Sequence, residues 1–377
     1  SQYGTIQLAD VTGDGVVDIL GRASSGIESA KMDKATGVFR PLTSGPALSD
    51  ATGWGAPDVA LTIRSGDIDG DGQAEIVALD NASQVVSYDR DSKSGKWTRL
   101  PLSSTPDWDD EFANWKSGLV YSTFQLVDLD GNGTDELIAR VNGKTEAEFR
   151  IIAARFDTSK QAWEPLAEGP ELNGTGPEFA LSMRVGNIDR DPAAEVVALQ
   201  GSGGGVRTLD YDPTSDTWTD LGVITPSWQA GKTDWKSPWY FETMRLANLD
   251  GDPNGVHELV VRSAEGLLVA RFDSANRTWT ALPTSPVLAD RGGWDKPQYF
   301  KTFRVGDFDG DGADELFIRG EKLLNVLQYE RSSPESDGSD LELIPWTVQT
   351  SQPVDPTFWE DKSDYEAFRT GDVDGDG

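Results

Sequence analysis

The 377 residues contain no cysteine, which removes disulfides, thiol nucleophiles and thiolate metal sites together. There is one histidine, His257, so a Ser–His–Asp triad or His-based metal hydrolysis would rest on a single side chain. No run of about 18 apolar residues occurs, and nothing reads as a membrane-spanning helix. Positive charge is scarce: 33 Lys and Arg stand against 64 Asp and Glu, a formal net charge of −31. Phosphate backbones are bound by clustered cations, and no such cluster appears, which argues against nucleic acid. An anionic membrane surface is disfavoured for the same reason. The first residues, "SQYGTIQLAD", carry no signal-peptide pattern and lead straight into a strand-like stretch. The expectation is that any export signal has been removed.

What the chain has is turn formers and rings. Its 40 Gly and 20 Pro imply many turns, and 13 Trp, 14 Phe and 8 Tyr supply large buriable surfaces. The length suits one large domain or two ordinary ones.

An acidic segment recurs. Copies begin at Asp10 (DVTGDGVVD), Asp67 (DIDGDGQAE), Asp128 (DLDGNGTDE), Asn187 (NIDRDPAAE), Asn248 (NLDGDPNGVHE), Asp307 (DFDGDGADE) and Asp372 (DVDGDG), at spacings of 57, 61, 59, 61, 59 and 65 residues. A period near sixty marks repeated supersecondary units that bury surface against their neighbours. Each copy follows a short strand such as "KTFRVG" (301–306) and precedes a β-forming apolar run such as "EIVAL" (75–79) or "ELFIR" (315–319). A hairpin and a Trp-centred strand come next, at Trp97, Trp163, Trp218 and Trp279. Four short antiparallel strands per repeat predict an all-β, seven-bladed propeller forming one domain over 1–377. Its blades fall at approximately 1–46, 58–103, 119–170, 179–225, 239–285, 298–350 and 364–377, the last incomplete. That seventh blade needs either a longer chain or another chain to finish it.

Like charges crowded in one loop repel by roughly 1 kcal/mol per close pair even in water, so something must collect them. Numbered from the first acidic residue, side-chain oxygens fall at positions 1, 3, 5 and 9, with glycine at 4 and 6 in the best copies. Calcium takes six to eight hard oxygen ligands, and the carbonyl of position 7 can add one. An EF-hand needs Glu at position 12 ahead of a helix. Here position 12 is Ala78 or Ile318 inside a strand, so the motif is strand–loop–strand.

Seven such loops in register resemble the FG-GAP or VCBS repeats, the calcium-loop blades of integrin α-subunit propellers and many secreted microbial proteins. The resemblance spans essentially the whole chain and implies several structural Ca²⁺ ions, a secreted protein and a role in extracellular recognition. Carried over copy by copy, the ligand positions are Asp10, Thr12, Asp14 and Asp18; Asp67, Asp69, Asp71, Gln73 and Glu75; and Asp128, Asp130, Asn132, Thr134 and Glu136. The later copies give Asn187, Asp189, Asp191 and Glu195; Asn248, Asp250, Asp252 and Glu258; Asp307, Asp309, Asp311, Ala313 and Glu315; and Asp372, Asp374 and Asp376. Copy four departs from the pattern, with Arg190 and Pro192 at the glycine positions and a cation available to fill the site. Copy five carries two extra residues that place Glu258 late and distort its loop.

No catalytic residues are assigned. His257 reads as a surface residue of the enlarged fifth loop, and the motif carboxylates are committed to cations. Polysaccharide lyases with calcium-rich propellers keep an enzyme as the minority reading. Five tryptophans (Trp54, Trp115, Trp235, Trp294 and Trp359) each lie thirteen residues before a motif, and Trp239 lies off register in a long linker. They are either wedges between blades or aromatic platforms for a sugar face. Gln7, Arg64, Gln125, Arg184, Arg245, Arg304 and Arg369 stand three residues before each motif. Strand alternation sends them to one face, where pairing with neighbouring acidic loops is expected and an anion-binding channel is the alternative. The resulting expectation is a non-catalytic lectin-like module with a glycan as partner, or a docking module for an extracellular protein within a larger assembly or polypeptide.

Overall fold

The computed structural model describes residues 5–80, 84–101, 121–142, 148–173, 177–200, 205–224, 237–321, 323–329, 346–353 and 369–370. Their strands form six antiparallel sheets, each built from one continuous stretch of chain in the order 1-2-3-4. Blade two runs Arg64–Gly66, Glu75–Leu79, Val85–Arg90 and Trp97–Arg99 from its innermost strand outward. The other blades span 7–41, 125–165, 184–224, 245–281 and 304–353, and Glu171–Asn173 adds an edge strand to blade three.

The seven-bladed expectation is overturned: among the described residues six blades form. The acidic loop joins a blade's first strand to its second. Of the seventh copy only Arg369 and Thr370 are described, and they belong to no sheet. Arg369 Nε donates to Ile6 O at 2.7 Å and Thr370 Oγ1 to Val305 O at 3.3 Å, which lodges this short segment between blades six and one.

The core lies between blades rather than within them. Every residue of "EIVAL" in blade two is buried. Ile76 and Ala78 face blade one in a cluster with Leu20 and Ile27, while Val77 and Leu79 face blade three beside Leu137 and Ile152. A strand covered on both faces is a continuous apolar run, and each fully buried aliphatic side chain there contributes about 1.5–3 kcal/mol. Five such clusters occupy the junctions from blades one and two to blades five and six. The hairpin rings join them: Phe156–Trp163, Tyr211–Trp218, Phe272–Trp279 and Tyr329–Trp346 pair at centroid separations of 5.3–5.7 Å.

Short helical turns, Pro57–Ala60, Pro177–Ala180, Pro238–Phe241 and Pro297–Phe300, precede four of the inner strands. Just after these turns a hydroxyl accepts the N–H near the end of its blade's second strand. The pairs are Thr62 with Leu79 at 2.9 Å, Ser182 with Leu199 at 3.2 Å, Thr243 with Arg262 at 3.0 Å and Thr302 with Arg319 at 2.9 Å. This fixes each inner strand against the second strand, and with it the two ends of the acidic loop. No helix among the described residues is long and apolar enough to cross a membrane.

Candidate functional site

Each acidic loop is shaped by its own first residue. Asp67 accepts from Gly70 N at 2.7 Å and Gly72 N at 2.9 Å; Asp128 and Asp307 repeat this with Gly131, Gly133, Gly310 and Gly312. Gly70 and Gly72 have φ of 79° and 84°, a region that costs other residues about 1–2 kcal/mol. Position 5 then accepts the N–H of position 7: Asp71 from Gln73 at 2.8 Å, Asn132 from Thr134 at 2.7 Å and Asp311 from Ala313 at 2.9 Å. The loops are also stitched to one another. Position 8 donates its N–H to the position 1 carbonyl of the preceding loop: Ala74 to Asp10, Asp135 to Asp67, Ala194 to Asp128, His257 to Asn187 and Asp314 to Asn248, at 2.6–3.1 Å.

In four loops carboxylate oxygens of three acids lie within 4.8 Å of one another: Asp67/Asp69/Asp71, Asp128/Asp130/Glu136, Asp189/Asp191/Glu195 and Asp307/Asp309/Asp311. The ninth residue of these four loops sits in a common environment. Oε2 of Glu75, Glu136, Glu195 and Glu315 accepts the N–H of position 2 at 2.8–2.9 Å, whereas Oε1 is buried without a hydrogen-bond partner. Burial pushes Glu75 and Glu195 up to about 9, Glu136 to about 8 and Glu315 to about 7, and the neighbouring loop carboxylates add repulsion. A buried anionic oxygen without a partner is costly, and a hard divalent cation satisfies it.

Loops two and four gain a further acid from the third strand. Burial, then the loop carboxylates, raise Asp89 beside Asp71 and Asp210 beside Asp191. The same register position, one residue beyond the partner of the residue after the ninth, is Lys31 in blade one, Arg155 in blade three and Arg271 in blade five. Arg155 pairs with Glu164 of its own blade at 3.7 Å, whereas in blades one and five the loop acquires a side-chain cation. Lys31 Nζ pairs with Asp14. Arg271 pairs with Asp250 and donates through Nε to Glu258 Oε1 at 2.8 Å, satisfying the oxygen that stays orphaned elsewhere. Glu258 is still raised, chiefly by burial, but Arg271 opposes the shift.

Copy four is corrected accordingly. Arg190 does not fill its own loop; its Nη2 reaches Asp252 of loop five at 3.1 Å, and loop four keeps the clustered geometry. Arg190 adopts φ of 86° in place of glycine. In loop one, Val11 N donates to Ala9 O at 3.0 Å, and the ninth residue, Asp18, is buried with both carboxylate oxygens unpartnered and is raised, chiefly by burial, to about 6. Asp372, Asp374 and Asp376 lie outside the described residues, as do Trp115, Trp235 and Trp359.

Of the remaining rim tryptophans, Trp54 is 6% exposed in the core between blades one and two, which corrects its assignment as a ligand platform. Trp239 and Trp294 are half-exposed. Trp294 stands edge-on to Tyr299 at 5.8 Å, with Lys296 5.7 Å from the Tyr299 ring and exposed Asp295 next in sequence. His257 is half-buried rather than fully on the surface. It packs against Gly186 with Nδ1 buried and unpartnered, and burial lowers its pKa despite nearby Asp314.

The inner-strand arginines Arg64, Arg184 and Arg245 are also corrected: among the described residues their hydrogen bonds go to backbone carbonyls, not to acidic loops. Arg64 Nε reaches Phe124 O at 2.5 Å, Arg184 Nε reaches Met244 O at 2.6 Å and Arg245 Nη2 reaches Phe303 O at 3.0 Å, each on the next blade. Alternation fixed their face, but it carries no information on the carbonyls waiting across the junction.

No family model and no curated protein matches the chain. Among solved structures it is similar to an Agrocybe aegerita lectin described as recognising non-reducing terminal N-acetylglucosamine, at 17% identity, 96% of this chain, 82% of that chain and a TM-score of 0.61. It aligns more loosely with the Photorhabdus luminescens Tc holotoxin pore (16% identity, 86% of this chain, 15% of that chain, TM-score 0.47). A Bacillus licheniformis rhamnogalacturonan lyase aligns at 12% identity, 84% of this chain, 69% of that chain and a TM-score of 0.31. The first likeness agrees with the propeller fold, and the other two are too loose to bear on this chain. The class is an all-β propeller of four-stranded antiparallel blades.

Proposed function

We propose that this chain is a calcium-stabilised propeller of the FG-GAP/VCBS kind, working outside the cell as a non-catalytic carbohydrate-recognition module. The observation that carries the calcium reading is the buried, unpartnered Oε1 of Glu75, Glu136, Glu195 and Glu315, each at a cluster of further acids. These loops would hold Ca²⁺ through carboxylate and amide oxygens at positions 1, 3, 5 and 9; the ion's part is charge neutralisation and loop fixation. Loop five, where Arg271 satisfies Glu258 Oε1, is read as metal-free.

The recognition reading is supported by Trp294, a half-exposed ring flanked by charged residues at the junction of blades five and six. Such a ring offers an apolar platform to a sugar face while polar neighbours fix orientation. The likeness to a propeller lectin favours the same class of ligand. A glycan array probed with calcium-loaded protein tests it: binding to terminal-sugar ligands is expected, and Trp294→Ala abolishes it with the melting temperature nearly unchanged. A blank array contradicts the reading. Protein docking is the second reading, favoured by Phe308, Leu323 and Val348 on blade six, which are 40%, 40% and 55% exposed. A stable protein partner that needs these residues would support it.

A further inference from the structure

The inner strands carry a charge problem that the acidic loops do not solve. Arg64, Arg184, Arg245 and Arg304 each open an inner strand, and Arg369 stands at the matching position between blades six and one. The strands beside them follow one another around the propeller axis. Nη1 of Arg64 donates to Leu61 O and Ile63 O at 2.7 and 2.8 Å, and Arg184, Arg245 and Arg304 repeat this with the carbonyls three residues and one residue before them. Among the described residues every hydrogen-bond partner of Arg64, Arg184 and Arg245 is a neutral carbonyl, and no carboxylate pairs with them. Nη2 of Arg64 and of Arg184 has no partner among the described residues.

The guanidinium groups converge. Burial lowers Arg64 and Arg184 to about 10 and Arg245 and Arg304 to about 9, and mutual repulsion adds to it: Arg369 acts on Arg64 and Arg304, Arg304 on Arg184, Arg184 on Arg245 and Arg245 on Arg304. One acid among the described residues faces them, Glu242, which acts on Arg184 and Arg245 and lies 3.7 Å from Lys301 Nζ. Among the described residues, five arginines and a lysine stand against one glutamate, a positive excess inside a chain of net charge −31. At a rise of about 3.3 Å per residue, this collar lies roughly 10 Å along the axis from the acidic loops.

We propose that this arginine collar binds a small tetrahedral oxyanion, sulfate or phosphate, on the propeller axis. The backbone carbonyls hold the guanidinium planes in place, so little side-chain freedom remains to be lost on binding. The spare N–H groups of Arg64 and Arg184 are charge-assisted donors of the kind that recognise oxyanions. Compact multivalent anions are favoured over chloride because several guanidinium groups share one charge centre.

Inorganic sulfate is the probe, titrated calorimetrically into calcium-loaded protein at constant ionic strength, because a highly acidic chain responds to screening by any salt. The expected result is saturable binding of one sulfate per chain and a sulfate-specific rise in melting temperature. Arg245→Gln/Arg304→Gln should weaken affinity at least tenfold. Glutamine already occupies the ring at Gln7, where Nε2 donates to Ile63 O at 2.8 Å and Oε1 accepts from Ser65 N at 3.0 Å, so the fold tolerates it there. Sulfate also raises melting temperatures generally by exclusion from protein surfaces; that part persists in the variant and the saturable heat does not. Should the double variant fail to fold, Arg304→Gln alone must show the affinity loss. No saturable heat in the wild type, or equal heats in wild type and variant, overturns the proposal.

Discussion

Loops two and five stand at equivalent places in separate repeats of one scaffold, yet they balance their charge differently. In loop two a third-strand acid, Asp89, joins Asp67, Asp69, Asp71 and Glu75, and Glu75 Oε1 has no partner. In loop five the same register position is Arg271, which bonds both Asp250 and Glu258. On the calcium reading proposed above, loop two would take its cation from solution, whereas the third strand supplies loop five with one of its own.

Chelation sharpens this contrast most. Each bound ion is worth about 2.7 kcal/mol at a hundredfold excess over its dissociation constant, so removing four should cost about 10 kcal/mol in sum. Hydrogen exchange after EDTA treatment should rise in loops two, three, four and six and hold steady in loop five. The chelated protein should also depend on pH. The folded-state pKa values of Glu75, Glu136, Glu195 and Glu315 lie above the ordinary 4.5, so the native state holds more protons between about pH 4.5 and 9. Its stability is therefore full below that window and falls as pH rises through it. Urea midpoints across this range should decline without calcium and stay flat with it.

Arg271→Ala should break the contrast. Removing the cation from two buried acids costs about 2 kcal/mol without calcium, discounted from the fully buried case because Arg271 is part-exposed. Added calcium should restore the loss, with loop five becoming an ion site. The smallest effect is expected from Arg190→Gly, which relieves a left-handed backbone worth about 1 kcal/mol and gives up an exposed pair worth under about 1 kcal/mol. A slight rise in the urea midpoint of calcium-loaded protein checks it.

Much of this architecture was legible in the residues. Runs such as "EIVAL" announced strands buried on both faces, and the acid spacing placed every loop between two strands. The blade number was not legible from the motif count, because the described residues of the seventh copy join no sheet and lie between blades six and one. The roles of Arg271 and Lys31 were illegible without strand register, which alone reveals that they share a position with Asp89 and Asp210. A signal that was missed is the hydroxyl five residues ahead of six motifs, from Thr5 and Thr62 to Thr302, which pins the second strand. Trp54 and Trp294 share a sequence address, but one is core and the other half-exposed, because burial at the rim depends on the adjoining blade.

The most direct test is calcium bound per chain in the wild type, Glu75→Gln and Glu258→Gln. The account predicts that Glu75→Gln loses one ion and Glu258→Gln loses none. No bound calcium in the wild type, or the same loss in both variants, would contradict it.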